Sequence, residues 1–283
     1  MRFINRDHTY NMFCSLEAFL DSNRICSGYY EINYGGLPIH FFVEQRGFPC
    51  TTVVFSQMVA DDFESVPIIV GAGLTQSLPT DRILFSDPSM ILSKTLRSGF
   101  YAGNSVQPHL QDTIVAIVQK IAKDRIIYFG TSDGGFAALV SALKTPGSFA
   151  AVSNPTVNIK LRTNRGNSIE RFLELAWSSG TDILDTDAPF MWDVVKPFES
   201  IQDTTIFYHQ NPADHSWEKW HYRNFRERCH SSNRIIWNES DVGQGHVFPT
   251  NQSLGEVISH LATSSKVDAT HLSSLELRGY QAK

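Results

Sequence analysis

Three residues far apart in the chain, Ser132, Asp214 and His246, have the types and surroundings that nucleophilic chemistry needs. Ser132 is the centre of Gly130-Thr131-Ser132-Asp133-Gly134, a G-x-S-x-G elbow. Such a turn needs glycine two residues either side of the serine, because a Cβ there would strike the neighbouring strand or helix. It strains the serine backbone and holds Oγ out at the carboxyl end of a sheet. A hydroxyl is a poor nucleophile until a base takes its proton and a third group orients that base. His246 is the expected base and Asp214 the expected acid. Asp214 follows the predicted strand Ile206–His209 and His246 follows Arg234–Trp237, and the order Ser, Asp, His is the one such sheets use. Charge developing on the substrate oxygen would be met by backbone N–H groups. One is expected from Asp133, and the other from Gln57 or Met58 in the loop after Thr51–Phe55. An HGGG run of the lipase type is missing. The Asp133 side chain is expected to point outwards; turned inwards it would disfavour anionic substrates.

Other readings of these residues are weaker. Ser132 could simply cap a helix, and the glycine-rich turn lacks the Gly-Lys-Ser/Thr ending of a phosphate loop. Gly71-Ala72-Gly73 lacks the third glycine of a dinucleotide site. His209, His215, His221 and His230 cluster near Asp214 but have no H-x-x-x-H spacing, so no metal is expected. His215 is the main rival base, yet it shares a loop with Asp214. Asp193, Asp203 and Asp241 are the rival acids and read as solvated carboxylates or loop caps.

The elements that must position these groups follow from the apolar patterning. Tyr29 to Tyr34 and Leu37 to Glu44 read as a hairpin about Gly35-Gly36. Thr51 to Phe55 is a short β-branched run suited to a strand buried on both faces. Pro67 to Leu74 is a further apolar piece, and Arg82 to Ser86 another strand. Pro108 to Lys123 is amphipathic at helical period. Then come the elbow, a strand over Ala150 to Ser153 stopped by Asn154-Pro155, and helices over Trp217 to Arg228 and Asn251 to Ala262. This alternation predicts an α/β fold, a mostly parallel central sheet with helices on both faces. Residues 157–200 break the rhythm and are expected as a small cap inserted over the sheet's carboxyl edge. Residues 1–27 are mixed, with a short helix near Ser15 to Leu20. One domain is expected over 1–263, with 264–283 a loosely attached polar tail.

Length and composition exclude several classes. The 283 residues suffice for a sizeable core, and a formal charge of −5 gives no reason to expect nucleic acid or an anionic membrane. Cys14, Cys26, Cys50 and Cys229 form no C-x-x-C pair, so neither zinc nor a disulfide framework is indicated. No stretch approaches the ~20 apolar residues of a membrane span, and the N-terminus has no signal-peptide core. A cytoplasmic protein of unspecified oligomeric state is expected.

FGTSDGGFAAL followed by SNPTVNI resembles a bacterial α/β-hydrolase branch tied to surface-glycan assembly. That branch includes capsular polysaccharide O-acetyltransferases and the hydrolase-like component of accessory Sec systems. Asn154-Pro155, Asp214-His215, Gly245-His246, SDPSMI at Ser86 to Ile91 and GFYAG at Gly99 to Gly103 carry the resemblance over roughly residues 50–250. Thr156 departs from it, standing where such sequences often have glutamine. The resemblance implies the α/β-hydrolase fold and a glycan hydroxyl as acceptor. It implies no bound cofactor; for a transferase the acyl donor would be acetyl-CoA, although no CoA motif is recognisable. The expected activity is a serine esterase or O-acyltransferase on a small ester or glycan. The rival is a non-catalytic glycan-binding or scaffold subunit.

Overall fold

The computed structural model describes residues 8–60, 63, 65–162, 169–185 and 188–280. Residues 1–7 of the mixed N-terminus, 163–168 and 186–187 of the expected insertion, and 281–283 of the expected tail lie outside the described residues. Among the described residues nine strands form one sheet: β1 (Thr9–Phe13), β2 (Gly28–Tyr34), β3 (Leu37–Glu44), β4 (Cys50–Phe55), β5 (Asp81–Phe85), β6 (Arg125–Thr131), β7 (Phe149–Ser153), β8 (Thr205–His209) and β9 (Arg234–Asn238). Their spatial order is β1-β2-β3-β5-β4-β6-β7-β8-β9. Only β3 runs antiparallel to its neighbours; the other pairings are parallel. The order reverses at β4 and β5, and β4 pairs with β6 through Phe55 and Gly130 at their carboxyl ends.

The two-residue period of each strand divides the core. Phe55, Tyr128, Val152 and Tyr208 face one side, where the helices Leu110–Ile121 and Ser132–Leu143 cover them. Val54, Phe129, Ala151 and Phe207 face the other, beneath Leu254, Ile258 and Leu261 of the helix Asn251–Thr263. All six residues of β4 are buried, as a central strand with both faces covered requires. The fold is thus the mostly parallel sheet with helices on both faces that the alternation predicts.

Three segments differ from or extend the sequence reading. β1 is an unanticipated edge strand, and Pro67 to Leu74 runs as a loop into the short helix Ala72–Thr75. The insertion is a string of short helical pieces whose two ends are joined by Ile159 N to Trp192 O and Val194 N to Val157 O, both 2.9 Å, and which the Gln111 amide ties to the body at Met191. Its Phe172, Phe190 and Phe198 join the core on the side of the Leu110–Ile121 helix. The stretch after residue 263 is packed down through Tyr280. The helix Ala269–Ser274 buries Leu272, and the Asn238 amide donates to the carbonyls of Leu272 and Leu275 at 3.1 and 2.8 Å. Among the described residues no helix is long and apolar enough to cross a membrane.

Candidate active site

β6 ends at Thr131, and the chain turns at Ser132 directly into its helix, with Ser132 at φ +50. That left-handed backbone costs a non-glycine residue energy and persists only where the surroundings impose it. Here they do. A Cβ on Gly130 would lie 2.1 Å from the Gly134 carbonyl oxygen, and one on Gly134 would lie 2.5 Å from that of Phe55. The elbow is therefore pressed between its own helix and the end of β4, and only glycine fits at either position.

The structure brings Ser132, His246 and Asp214 into one hydrogen-bonded line. His246 Nε2 is 2.9 Å from Ser132 Oγ, and His246 Nδ1 is 2.5 Å from Asp214 Oδ2. An ionised carboxylate only accepts, so Nδ1 carries the proton and Nε2 is left to accept from the serine hydroxyl. Asp214 is 4% exposed, and its other oxygen caps the turn by accepting from Trp217 N. The Trp217 ring lies 3.7 Å, centroid to centroid, from the His246 ring, and Phe248 stands edge-on at 4.9 Å.

Two buried asparagines that the sequence reading did not single out as site residues hold this loop. Asn154, past β7, donates to Val247 O at 2.9 Å. Asn211, past β8, donates to Gly243 O at 2.7 Å and Gly245 O at 3.0 Å. The only signal in the sequence is that both precede proline at a strand end.

The rivals are placed elsewhere or otherwise engaged. His215 lies in the wall of the cavity beside Asp214, solvent-exposed. His209 is buried between Ser153 Oγ and Ser240 O, and burial pushes its pKa down to about 4. Burial, and next the Arg162 charge, push that of His221 down to about 3. Asp203 pairs with Arg234, while Asp193 and Asp241 accept from backbone N–H groups of their own loops. Among the described residues no group of three or more His, Cys, Asp or Glu could hold a metal ion.

Asp133 corrects an expectation. Its side chain points inwards, 1% exposed, where Oδ1 accepts from Thr156 Oγ1 at 2.8 Å and from Arg162 Nε at 3.1 Å. A carboxylate at this depth needs a charged partner, and Arg162, 4% exposed, supplies it. The guanidinium also lies 4.8 Å over the Trp217 ring and 3.4 Å from Met58 Sδ. The negative charge beside Ser132 is thereby offset.

Of the segment after β4, Ser56 N–H is taken by Tyr101 Oη and Val59 N–H by Arg97 O. Gln57 and Met58 lie between, and the Gln57 side chain accepts from Thr131 Oγ1 at 2.7 Å. A cavity of about 710 Å³ opens at the histidine, walled by Met58, Leu161, Arg162, Trp217, Trp220 and His246 among others.

No protein-family model matches the chain, and no curated protein is significantly similar to it in sequence. Its structure is similar to the capsule O-acetyltransferase of Neisseria meningitidis serogroup A, with TM-score 0.60 and 16% identity over 82% of this chain and 96% of that one. It is also similar to an S-formylglutathione hydrolase from Agrobacterium tumefaciens, with TM-score 0.58 and 16% identity over 83% and 92%. A 2,6-dihydroxy-pseudo-oxynicotine hydrolase matches with TM-score 0.58 and 13% identity over 86% and 70%. The likeness to capsule O-acetyltransferases therefore extends to the fold. With its strand order, its elbow and these neighbours, the chain has the α/β-hydrolase fold.

Proposed function

We propose that the chain is a serine acyl-transfer enzyme in which Ser132 is the nucleophile, His246 the general base and Asp214 its orienting acid. The observation that carries this reading is the unbroken line from Ser132 Oγ through His246 to Asp214. Three groups separated by 114 and 32 residues meet in the tautomeric order that base catalysis requires.

The reaction runs in two halves. As Ser132 Oγ bonds to the acyl carbon, its proton passes to His246 Nε2, and the carbonyl π electrons move onto oxygen. The N–H groups of Asp133 and of Gln57 or Met58 receive that oxyanion. When the carbonyl re-forms, the bond to the leaving oxygen or sulfur breaks, and His246 returns the proton to it. A hydroxyl or water then attacks the acyl-serine and gives its proton to His246. Collapse restores Ser132, reprotonated from His246.

For the substrate, the reading is an O-acyl ester or a glycan hydroxyl acceptor. It is supported by the likeness to the capsule O-acetyltransferase and by a cavity large enough for a sugar ring against Trp217 and Trp220. A mutant of that transferase is known in complex with CoA, which makes acetyl-CoA the donor to test here. Hydrolysis is the second reading, favoured by the His246 side chain, which is 22% exposed and so open to water. A cytoplasmic setting agrees with the four cysteines, all free thiols.

A fluorophosphonate probe tests the mechanism. It labels wild type at Ser132 and leaves Ser132→Ala unlabelled; an unlabelled wild type rejects the mechanism. Acetate release from p-nitrophenyl acetate, with and without a glycan acceptor, separates transfer from hydrolysis.

A further inference from the structure

The SDPSMI and GFYAG motifs remain outside the triad, yet the structure ties both to the segment that would bind the oxyanion. The Tyr101 hydroxyl, 2% exposed, has a complete set of partners. It donates to Phe85 O at 3.1 Å, which leaves its lone pairs to accept from Ser56 N–H at 2.9 Å and Ser56 Oγ–H at 2.8 Å. It therefore joins the carboxyl ends of β5 and β4 at the point where the chain enters Gln57 and Met58. At the far side of that pair, Val59 N donates to Arg97 O at 2.9 Å and Arg97 Nε returns a bond to Val59 O at 2.8 Å. Gln57 and Met58 are thus suspended between two clamps, both supplied by residues 97–101.

That supporting turn is itself held in an unfavourable shape. Phe100 and Tyr101 have φ +55 and +53, a left-handed pair without glycine. Such strain persists where neighbours over-determine it, and it concentrates at working sites. The neighbour here is Asp87, 4% exposed. Its Oδ2 accepts from Gly99 N at 2.9 Å and Tyr101 N at 3.0 Å, and its Oδ1 accepts from Ser89 N at 3.0 Å. A Cβ on Gly99 would lie 2.6 Å from Ser89 Cβ and 2.9 Å from Asp87 Oδ2, so the turn closes tightly on the carboxylate.

We infer that Tyr101, locked in place by Asp87, is a positioning residue that sets the direction of the Gln57 and Met58 N–H groups toward the substrate oxygen. The inference rests on Ser132 acting as the nucleophile. Both roles converge on one point, because a Cβ on Gly134, in the elbow helix, would touch the carbonyls of Phe55 and Ser56. The segment that Tyr101 holds is the one packed against the start of the serine's helix. Oxyanion donors act through their fixed direction, so a small rotation weakens them in the transition state more than in the substrate complex.

The test is Tyr101→Phe, with Tyr128→Phe as the matched control. Tyr128 is also fully buried, and its hydroxyl bonds only Thr145 Oγ1, at 2.9 Å, among the described residues. Ester turnover, thermal midpoint and affinity for a boronic acid that forms a tetrahedral adduct with Ser132 are measured on both. Tyr101→Phe is expected to lower kcat by about 10- to 100-fold, to leave KM within about twofold and to weaken the boronic acid by the same factor as kcat. Tyr128→Phe is expected to leave kcat and the boronic acid unchanged whatever its thermal midpoint. A kcat for Tyr101→Phe equal to wild type, or a loss matched by Tyr128→Phe, overturns the positioning role. A wild type with no turnover and no fluorophosphonate labelling rejects the serine mechanism instead, so the two failures are distinguishable.

Discussion

Asn154 and Asn211 sit past neighbouring strands and are joined to each other, Asn154 Oδ1 accepting the Asn211 N–H at 2.7 Å. From this link both amides reach into the loop of His246, so the imidazole is registered against the sheet edge that also presents Ser132. Replacing Asn154 by Ala unpairs Val247 O and Asn211 N–H, an expected loss of about 1–3 kcal/mol of stability. A displaced histidine is also expected to lower kcat by up to about 100-fold with little change in KM. Thermal melts and ester kinetics on the same preparation check both. An unchanged kcat at lowered stability would show that other contacts place the loop.

Asp214→Asn is nearly isosteric and tests the tautomer. The amide can present N–H toward His246 Nδ1, which then has to accept and leaves Nε2 protonated. The expected fall in kcat is about 10⁴-fold with the fold intact. Titration of the residual activity with a fluorophosphonate measures it, and a loss below tenfold would remove Asp214 from the mechanism.

Arg162→Met strands the Asp133 carboxylate without its counter-charge. Breaking one side of a buried pair costs about 3–5 kcal/mol, whereas replacing both partners can be neutral. The double variant Asp133→Asn/Arg162→Met is therefore expected to recover most of the stability lost by the single one, in urea unfolding. Equal stability of the two variants would mean that the pair does not couple.

Acid stability follows from buried groups other than Ser132, His246 and Asp214. His209 and His221 have folded values of about 4 and about 3, below the ordinary histidine value. As pH falls below about 6.5 the unfolded chain takes up their protons first, so stability declines, by about 3 kcal/mol per histidine at pH 4. Asp87 acts oppositely. Burial pushes it up to about 6, so the folded state binds its proton first between about pH 6 and 4 and regains about 2 kcal/mol. Together these three groups are expected to take away about 4 kcal/mol between pH 7 and 4. His209→Gln should remove about half of the histidine share, as read from urea midpoints at the two pH values.

The elbow was legible because close backbone crossings at Gly130 and Gly134 leave no residue but glycine, and that need is written locally. Asp214 and His246 were legible as residues just past apolar strand runs. The direction of Asp133 was not, since its partner Arg162 lies 29 residues on, in a stretch with no strand or helix period to place it. Asn211 reads as a strand stop; its bonds run to residues 32 and 34 positions away, beyond any local pattern. β1 escaped because an edge strand with no fully buried residue shows little two-residue alternation. The helix Ala269–Ser274 escaped because it is six residues long and buries only Leu272.

The indole of Trp217 against the His246 ring has a consequence for traffic through the site. With Nδ1 held by Asp214 and one ring face shielded, the imidazole can exchange protons only along its Nε2 edge. In the proposed reaction the departing alcohol or thiol and the next acceptor must therefore stand in one spot by turns. Such an enzyme is slowed by its own first product, which re-enters the vacated spot and takes the acyl group back.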